Sequence, residues 1–92
     1  MHIITVCGNG IGSSLMLAGK VQQICDDEGI KADVESMDLN AASSASPDLF
    51  ITVKELAPSL HGEVAIVRSY VNAKKIKEDA LDMIKEIAAN LG

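Results

Sequence analysis

Between residues 5 and 15 the chain reads Thr-Val-Cys-Gly-Asn-Gly-Ile-Gly-Ser-Ser-Leu. A cysteine ends an apolar run, a glycine-rich turn follows, and a pair of serines opens a helical pattern. Glycines accept φ > 0 and carry no Cβ, so backbone N–H groups can turn inward around an anion. A helix start behind them adds unpaired N–H groups and the positive end of a dipole, which favour a phosphate. The same field favours a thiolate over a thiol, which makes Cys7 the candidate nucleophile and predicts an exposed, reactive sulfur. A cysteine built into a phosphate cradle points to phosphoryl transfer through sulfur.

Strands and helices must hold such a loop, and the pattern supplies them in alternation. Ile3-Ile4-Thr5-Val6 is a β-branched run next to turn chemistry, which predicts a buried strand. From Ser13 onward Leu15, Ala18, Val21 and Ile24/Cys25 recur at helical spacing, with Gly29 as the stop. Lys31 to Met37 alternates and predicts a second, peripheral strand; Asp38 to Pro47 reads as a loop. Asp48 to Val53 is a strongly apolar strand, Lys54 to Leu60 a helical turn or two interrupted by Pro58, and Val64 to Val67 a fourth strand. Asn72 caps the clearest helix, whose face is Ile76, Ala80, Met83/Ile84, Ile87 and Leu91. Lysines and acids from Lys74 to Glu86 keep its other side wet.

Apolar strands alternating with helices imply right-handed βαβ units. The fold class is α/β: an open four-stranded parallel sheet of order 2-1-3-4 flanked by helices, Rossmann-like with a phosphatase-like phosphate loop. That order puts a switch point at the carboxyl end of the first strand, where ligands bind in open α/β sheets and where Cys7 falls.

Composition narrows the possibilities. With 92 residues, 48% of them hydrophobic and 23% charged, the chain reads as a single globular domain, residues 1–92, and not as a disordered segment. One Phe, one Tyr and no Trp leave the core to aliphatic residues. A net charge of −5 without a basic stripe argues against nucleic acid. No apolar run approaches the ~20 residues that span a bilayer, so membrane insertion is not expected. The start Met-His-Ile-Ile enters a strand pattern directly, without a signal-like region, which places the chain in the cytoplasm. The cysteines, Cys7 and Cys25, match no zinc or CxxC spacing and in a reducing compartment stay thiols; neither metal nor cofactor is expected.

The loop is not a Walker A motif, since no GK[ST] follows and Lys20 falls inside the helix, and its glycines do not match a dinucleotide fingerprint. Cysteine phosphatases come closer, with Cys, five residues, then Arg; here the arginine position is Ser13. The arginine fork stabilises both formation and hydrolysis of a thiophosphate. Without it, a phosphocysteine can persist until an acceptor arrives, a departure that favours relay over hydrolysis.

Val6 to Met16, with Cys7-Gly8-Asn9-Gly10-Ile11-Gly12-Ser13-Ser14 at its heart, resembles the active-site loop of the enzyme IIB components of the bacterial sugar phosphotransferase system. It is most similar to the ascorbate-type branch, in which CGNGxGSS is the distinctive form. Lactose/cellobiose-type and galactitol-type IIB proteins share the cysteine position and fold. The resemblance implies that Cys7 accepts a phosphoryl group from a phosphohistidine of a IIA component. It then passes the group to a sugar-like small molecule, L-ascorbate or a relative, bound by the membrane transporter IIC. It also implies that Gly8, Asn9, Gly10, Ile11, Gly12, Ser13 and Ser14 bind the phosphate. Alternatives of other classes are a low-molecular-weight cysteine-dependent phosphatase and a phosphate-sensing regulatory domain.

The remaining reactive residues have plainer readings. Cys25 belongs to an apolar helix face and is expected in the core. His2 and His61 fall at the wrong edge of the sheet. Arg68 falls at the same edge as Cys7, either as a solvated loop charge or as a hold on a partner's acids or the phosphate. Asp26-Asp27-Glu28 reads as a solvated helix end or part of a docking surface. Ile11 and Leu15 are candidates for apolar contact with a partner, although Leu15 equally fits the core.

Overall fold

The computed structural model describes residues 1–8 and 12–91. β1 (His2–Cys7), α1 (Gly12–Asp27), β2 (Asp33–Asp38), α2 (Leu39–Ala42), β3 (Leu49–Thr52), a 3-10 turn (Ala57–Ser59), β4 (Val64–Ile66) and α3 (Ala73–Leu91) follow in order. The strands pair in parallel as β2-β1-β3-β4, the order expected from the sequence.

Handedness explains the layering. The β1-to-β2 crossover lays α1 on one face of the sheet, while the β2-to-β3 connection runs the opposite way and drops α2 on the other. Two cores result. Ile3, Leu49 and Ile51 pack with Leu17 and Val21 of α1 and with Ile76, Ala80 and Ile84 of α3. Ile4, Val6 and Phe50 pack with Ala42 and Leu60 on the opposite face. β1 therefore has no solvent face, and Ile3, Ile4, Thr5 and Val6 are all fully buried. That is why it reads as an unbroken apolar run.

Some boundaries and faces differ from the sequence reading. β2 spans Asp33–Asp38 rather than Lys31 to Met37, because the chain first completes a glycine cap. Gly29, at φ +70°, donates to the Asp26 carbonyl (3.2 Å) and Ile30 donates to that of Cys25 (2.8 Å), a Schellman closure that only a left-handed residue permits. Residues 38–47 are not all loop: the Asp38 carboxylate accepts the Ala41 N–H at 2.8 Å and starts α2, an element too short to show periodicity. Leu15 is 60% exposed and Leu17 takes its place in the core. Leu91, 56% exposed, lies beyond the apolar face of α3.

α3 is capped by Asn72, whose Oδ1 accepts the Lys75 N–H at 3.1 Å. It is tied to the sheet side by ions as well as by Ile76, Ala80 and Ile84. Glu28 is not simply solvated: it reaches Lys77 (3.4 Å) and Lys85 (3.3 Å) on α3. Arg68 Nε meets both carboxylate oxygens of Asp79 (3.0 and 2.9 Å), and Nη2 meets Glu78 (3.0 Å). The Arg68 N–H also donates to Asp79 at 2.9 Å.

These geometries yield two expectations. Ile84→Ala, at a fully buried site, should cost about 3 kcal/mol in urea unfolding, through lost burial and the cavity left behind. The hydrogen bond from Lys85 lowers the pKa of Glu28, and that from Arg68 lowers the pKa of Asp79. Carboxylates depressed in the folded state stabilise it above their unfolded values, about 4, and lose that contribution as pH falls through the folded ones. The double variant Glu28→Gln/Asp79→Asn should therefore be less stable than the parent at neutral pH. It should show a smaller drop in urea midpoint from pH ~6 to ~3.

Candidate active site

Cys7 is the last residue of β1, paired in register with Asp38 of β2. Alternation along the strand puts it with Ile3 and Thr5 on the face that α1 and α3 cover. Cys7 is 4% exposed, which corrects the expectation of an exposed sulfur. It reaches the surface through a cavity of about 150 Å³ lined by Cys7, Gly8, Ser13 and Tyr70. A larger cavity of about 570 Å³, bordered by Met1, Gly29, Lys31 and Asp33, lies toward the amino ends of the strands and has no thiol among its described lining residues.

Hydroxyl groups fix the backbone on both sides of the cysteine. Thr5, fully buried, donates to the Ser14 carbonyl at 2.7 Å and so ties β1 to the first turn of α1, bracketing the loop between them. Thr52, also fully buried, donates at 2.9 Å to the carbonyl of Val6, the residue before the cysteine. Tyr70 directs its hydroxyl at the same Val6 oxygen from 3.4 Å. Burial, and after it the charge of Cys7, raises the Tyr70 phenol above its usual pKa, against the opposing effect of a hydrogen bond with Thr52. The phenol therefore keeps its proton across the neutral range.

The sequence residues sort as follows. Cys7, Gly8 and Ser13 come together around the cavity; Ser14 is fully buried behind it. Gly12 opens α1, while Asn9, Gly10 and Ile11 lie outside the described residues. Arg68 is bound to α3 by Asp79 and Glu78 and does not line the cavity. His2 pairs with Glu35 at 2.7 Å at the far end of β1, and His61 precedes the start of β4. Cys25 is fully buried; burial, with Asp26 adding to it, pushes its thiol up in pKa. No disulfide joins the cysteines.

Tyr70 is the residue that the sequence reading missed. The signal was available: it is the only tyrosine, two positions beyond Arg68, in the turn leaving the carboxyl end of β4. That turn is held by Ser69 Oγ, which accepts the Val71 and Asn72 N–H groups at 3.1 and 3.0 Å. Thr5→Val keeps the side-chain shape but deletes the tie between β1 and α1. It should cost about 1 kcal/mol in urea unfolding and broaden or shift the amide resonances of Gly8 and Ser13, with those of α3 unchanged.

Comparison with known proteins bears on this site. Over 84 residues the chain is 29% identical to the ascorbate-specific PTS system EIIB component of Mycoplasma pneumoniae, covering 85% of this chain and 88% of that one. The solution structure of a low-molecular-weight protein tyrosine phosphatase from Bacillus subtilis superposes with a TM-score of 0.51. The match is at 18% identity, over 99% of this chain and 94% of the phosphatase, a likeness of fold. No described helix is long and apolar enough to cross a membrane. The model of the family described as "PTS system, Lactose/Cellobiose specific IIB subunit" matches residues 2–88. The chain belongs to that family of phosphotransferase-system IIB subunits, and it is a phosphotransferase component.

Proposed function

We propose that Cys7 is the phosphoryl carrier, accepting the group from a phosphohistidine of a IIA component and delivering it to a sugar-like substrate held by a membrane IIC. The observation that carries this reading is the convergence of the strand-end Cys7, the adjacent Gly8 and Ser13 at the start of α1 on one small cavity. In the first step a sulfur lone pair forms the S–P bond as the donor's N–P bond breaks, and the thiol proton ends on the imidazole. In the second, a substrate hydroxyl oxygen attacks phosphorus, the S–P pair returns to sulfur, and the hydroxyl proton restores the thiol. Gly8 to Ser14 would cradle the phosphate through backbone amides, with the dipole of α1 favouring its charge.

L-Ascorbate or a related compound is the proposed substrate. The loop form CGNGxGSS and the ascorbate-specific relative from Mycoplasma pneumoniae support it. With IIA and IIC as successive partners the protein works on the cytoplasmic side, through brief contacts around the Cys7 cavity. Exposed Leu15 and Met16 on the opening turns of α1 suit such contacts.

A phosphatase would need a group to protonate the leaving oxygen and an arginine to hold the phosphate. Among the described residues, neither a carboxylate nor an arginine lines the cavity. Incubation with phosphorylated IIA followed by mass analysis tests the relay. Wild type and Cys25→Ser should each gain one acid-sensitive phosphate, and Cys7→Ser should gain none, because a serine hydroxyl is scarcely ionised near neutral pH. Label on His2 or His61, or sustained hydrolysis of para-nitrophenyl phosphate, would reject the carrier reading. Inorganic phosphate titrated into the unmodified protein should shift amide resonances between Gly8 and Ser14 and leave those around His61 in place.

A further inference from the structure

The cavity at Cys7 poses a problem of charge. A phosphoryl group seated there is a dianion, yet the position at which a cysteine phosphatase has its arginine holds Ser13, and Arg68 is committed to Asp79 and Glu78. Backbone amides satisfy part of such a group, while oxygens facing away from the loop need donors from another element. Among the described residues, Tyr70 is the contributor to the lining that comes from outside the β1–α1 segment.

We propose that the Tyr70 hydroxyl is a catalytic hydrogen-bond donor to the phosphoryl group on Cys7, leaving the Val6 carbonyl as the group arrives. The assignment rests on Cys7 being the carrier. Its bond to the Val6 oxygen is easily given up: 3.4 Å is long for O–H···O, where good bonds are near 2.7–2.8 Å, and the Thr52 hydroxyl remains its other partner. The Val6 oxygen loses little by the exchange, since Thr52 already donates to it at 2.9 Å. The acceptor it would leave belongs to the residue before Cys7, so the hydroxyl stands one peptide from the reacting sulfur. The phenol keeps its proton throughout, and S–P formation and cleavage are otherwise as described above. A charge-assisted bond from a half-buried phenol would stabilise the oxygens as phosphorus passes between donor, sulfur and acceptor.

Two features hold the donor in place. The ring is half-buried against the core beside α1 and α3. On its chain side, the Arg68–Asp79 pair and the Ser69 turn fix the backbone on either side of the tyrosine.

The test uses phosphorylated IIA as donor with wild type, Tyr70→Phe and Cys7→Ser. Tyr70→Phe keeps the ring and loses only the hydroxyl, so its urea midpoint should match the parent. Its rate of phosphate acceptance should fall on the order of tenfold, the loss of one hydrogen bond to a charged group. The ³¹P resonance of its phosphocysteine should move from the wild-type position. Equal rates with superimposed ³¹P resonances would overturn the tyrosine assignment while leaving Cys7 as carrier. A slower variant with an unmoved ³¹P line and a lowered urea midpoint would overturn it as well, by showing a structural role only. Phosphate that survives in Cys7→Ser would overturn the carrier reading and the tyrosine assignment together.

Discussion

β1 is hydrogen-bonded along both edges and buried on both faces, and every other part of the molecule is arranged around that strand. A parallel strand with neighbours on each side requires crossovers in opposite directions, so the coverings of the two faces follow from chirality. One direction brings α1 back over the sheet, the other brings α2 and the 3-10 turn. The carboxyl end of β1 is where these connections diverge. It is left as a small crevice, and Cys7 lines it.

Backbone atoms at that crevice are held by side chains. Thr5 and Thr52 are apolar in shape except for one hydroxyl each, and both hydroxyls end on carbonyl oxygens next to the loop. In a desolvated setting such bonds matter mostly through the penalty of leaving them unmade. They help define where β1 stops and α1 begins. The same setting makes a buried Cys7 compatible with chemistry. The sulfur lines a confined place beside strand, helix and tyrosine, where hydrogen bonds are stronger than in water.

Ion pairs perform a separate task. α1 ends in Asp26 and Asp27 with Glu28 just beyond, an arrangement its own dipole disfavours. Lysines from α3 meet Glu28 there, and Asp79 and Glu78 hold Arg68 at the end of β4. The acidic helix end and the lone arginine thus become joints between α3 and the rest of the fold. That leaves the cavity without arginine among its described residues.

Strand order, the central place of β1, the capped final helix and the position of Cys7 at the carboxyl end of β1 were all legible in the sequence. Each depends on local pattern or on a chirality shared by all parallel sheets. The short α2 was not, because a single turn of helix carries too few residues to define a face; nor were the start of β2, set by the Gly29 cap, and the exchange of Leu15 for Leu17, set by how α1 packs on the sheet. The partners of Glu28 and Arg68 were hidden as well, since pairing between distant segments leaves no trace in composition. The depth of Cys7 and the presence of Tyr70 beside it were decided by tertiary structure alone. The sequence by itself determined that a cysteine ends the central buried strand; packing of segments 64 residues apart, Val6 against Tyr70, determined what surrounds its sulfur, because hydrogen bonding and desolvation act through space and not along the chain.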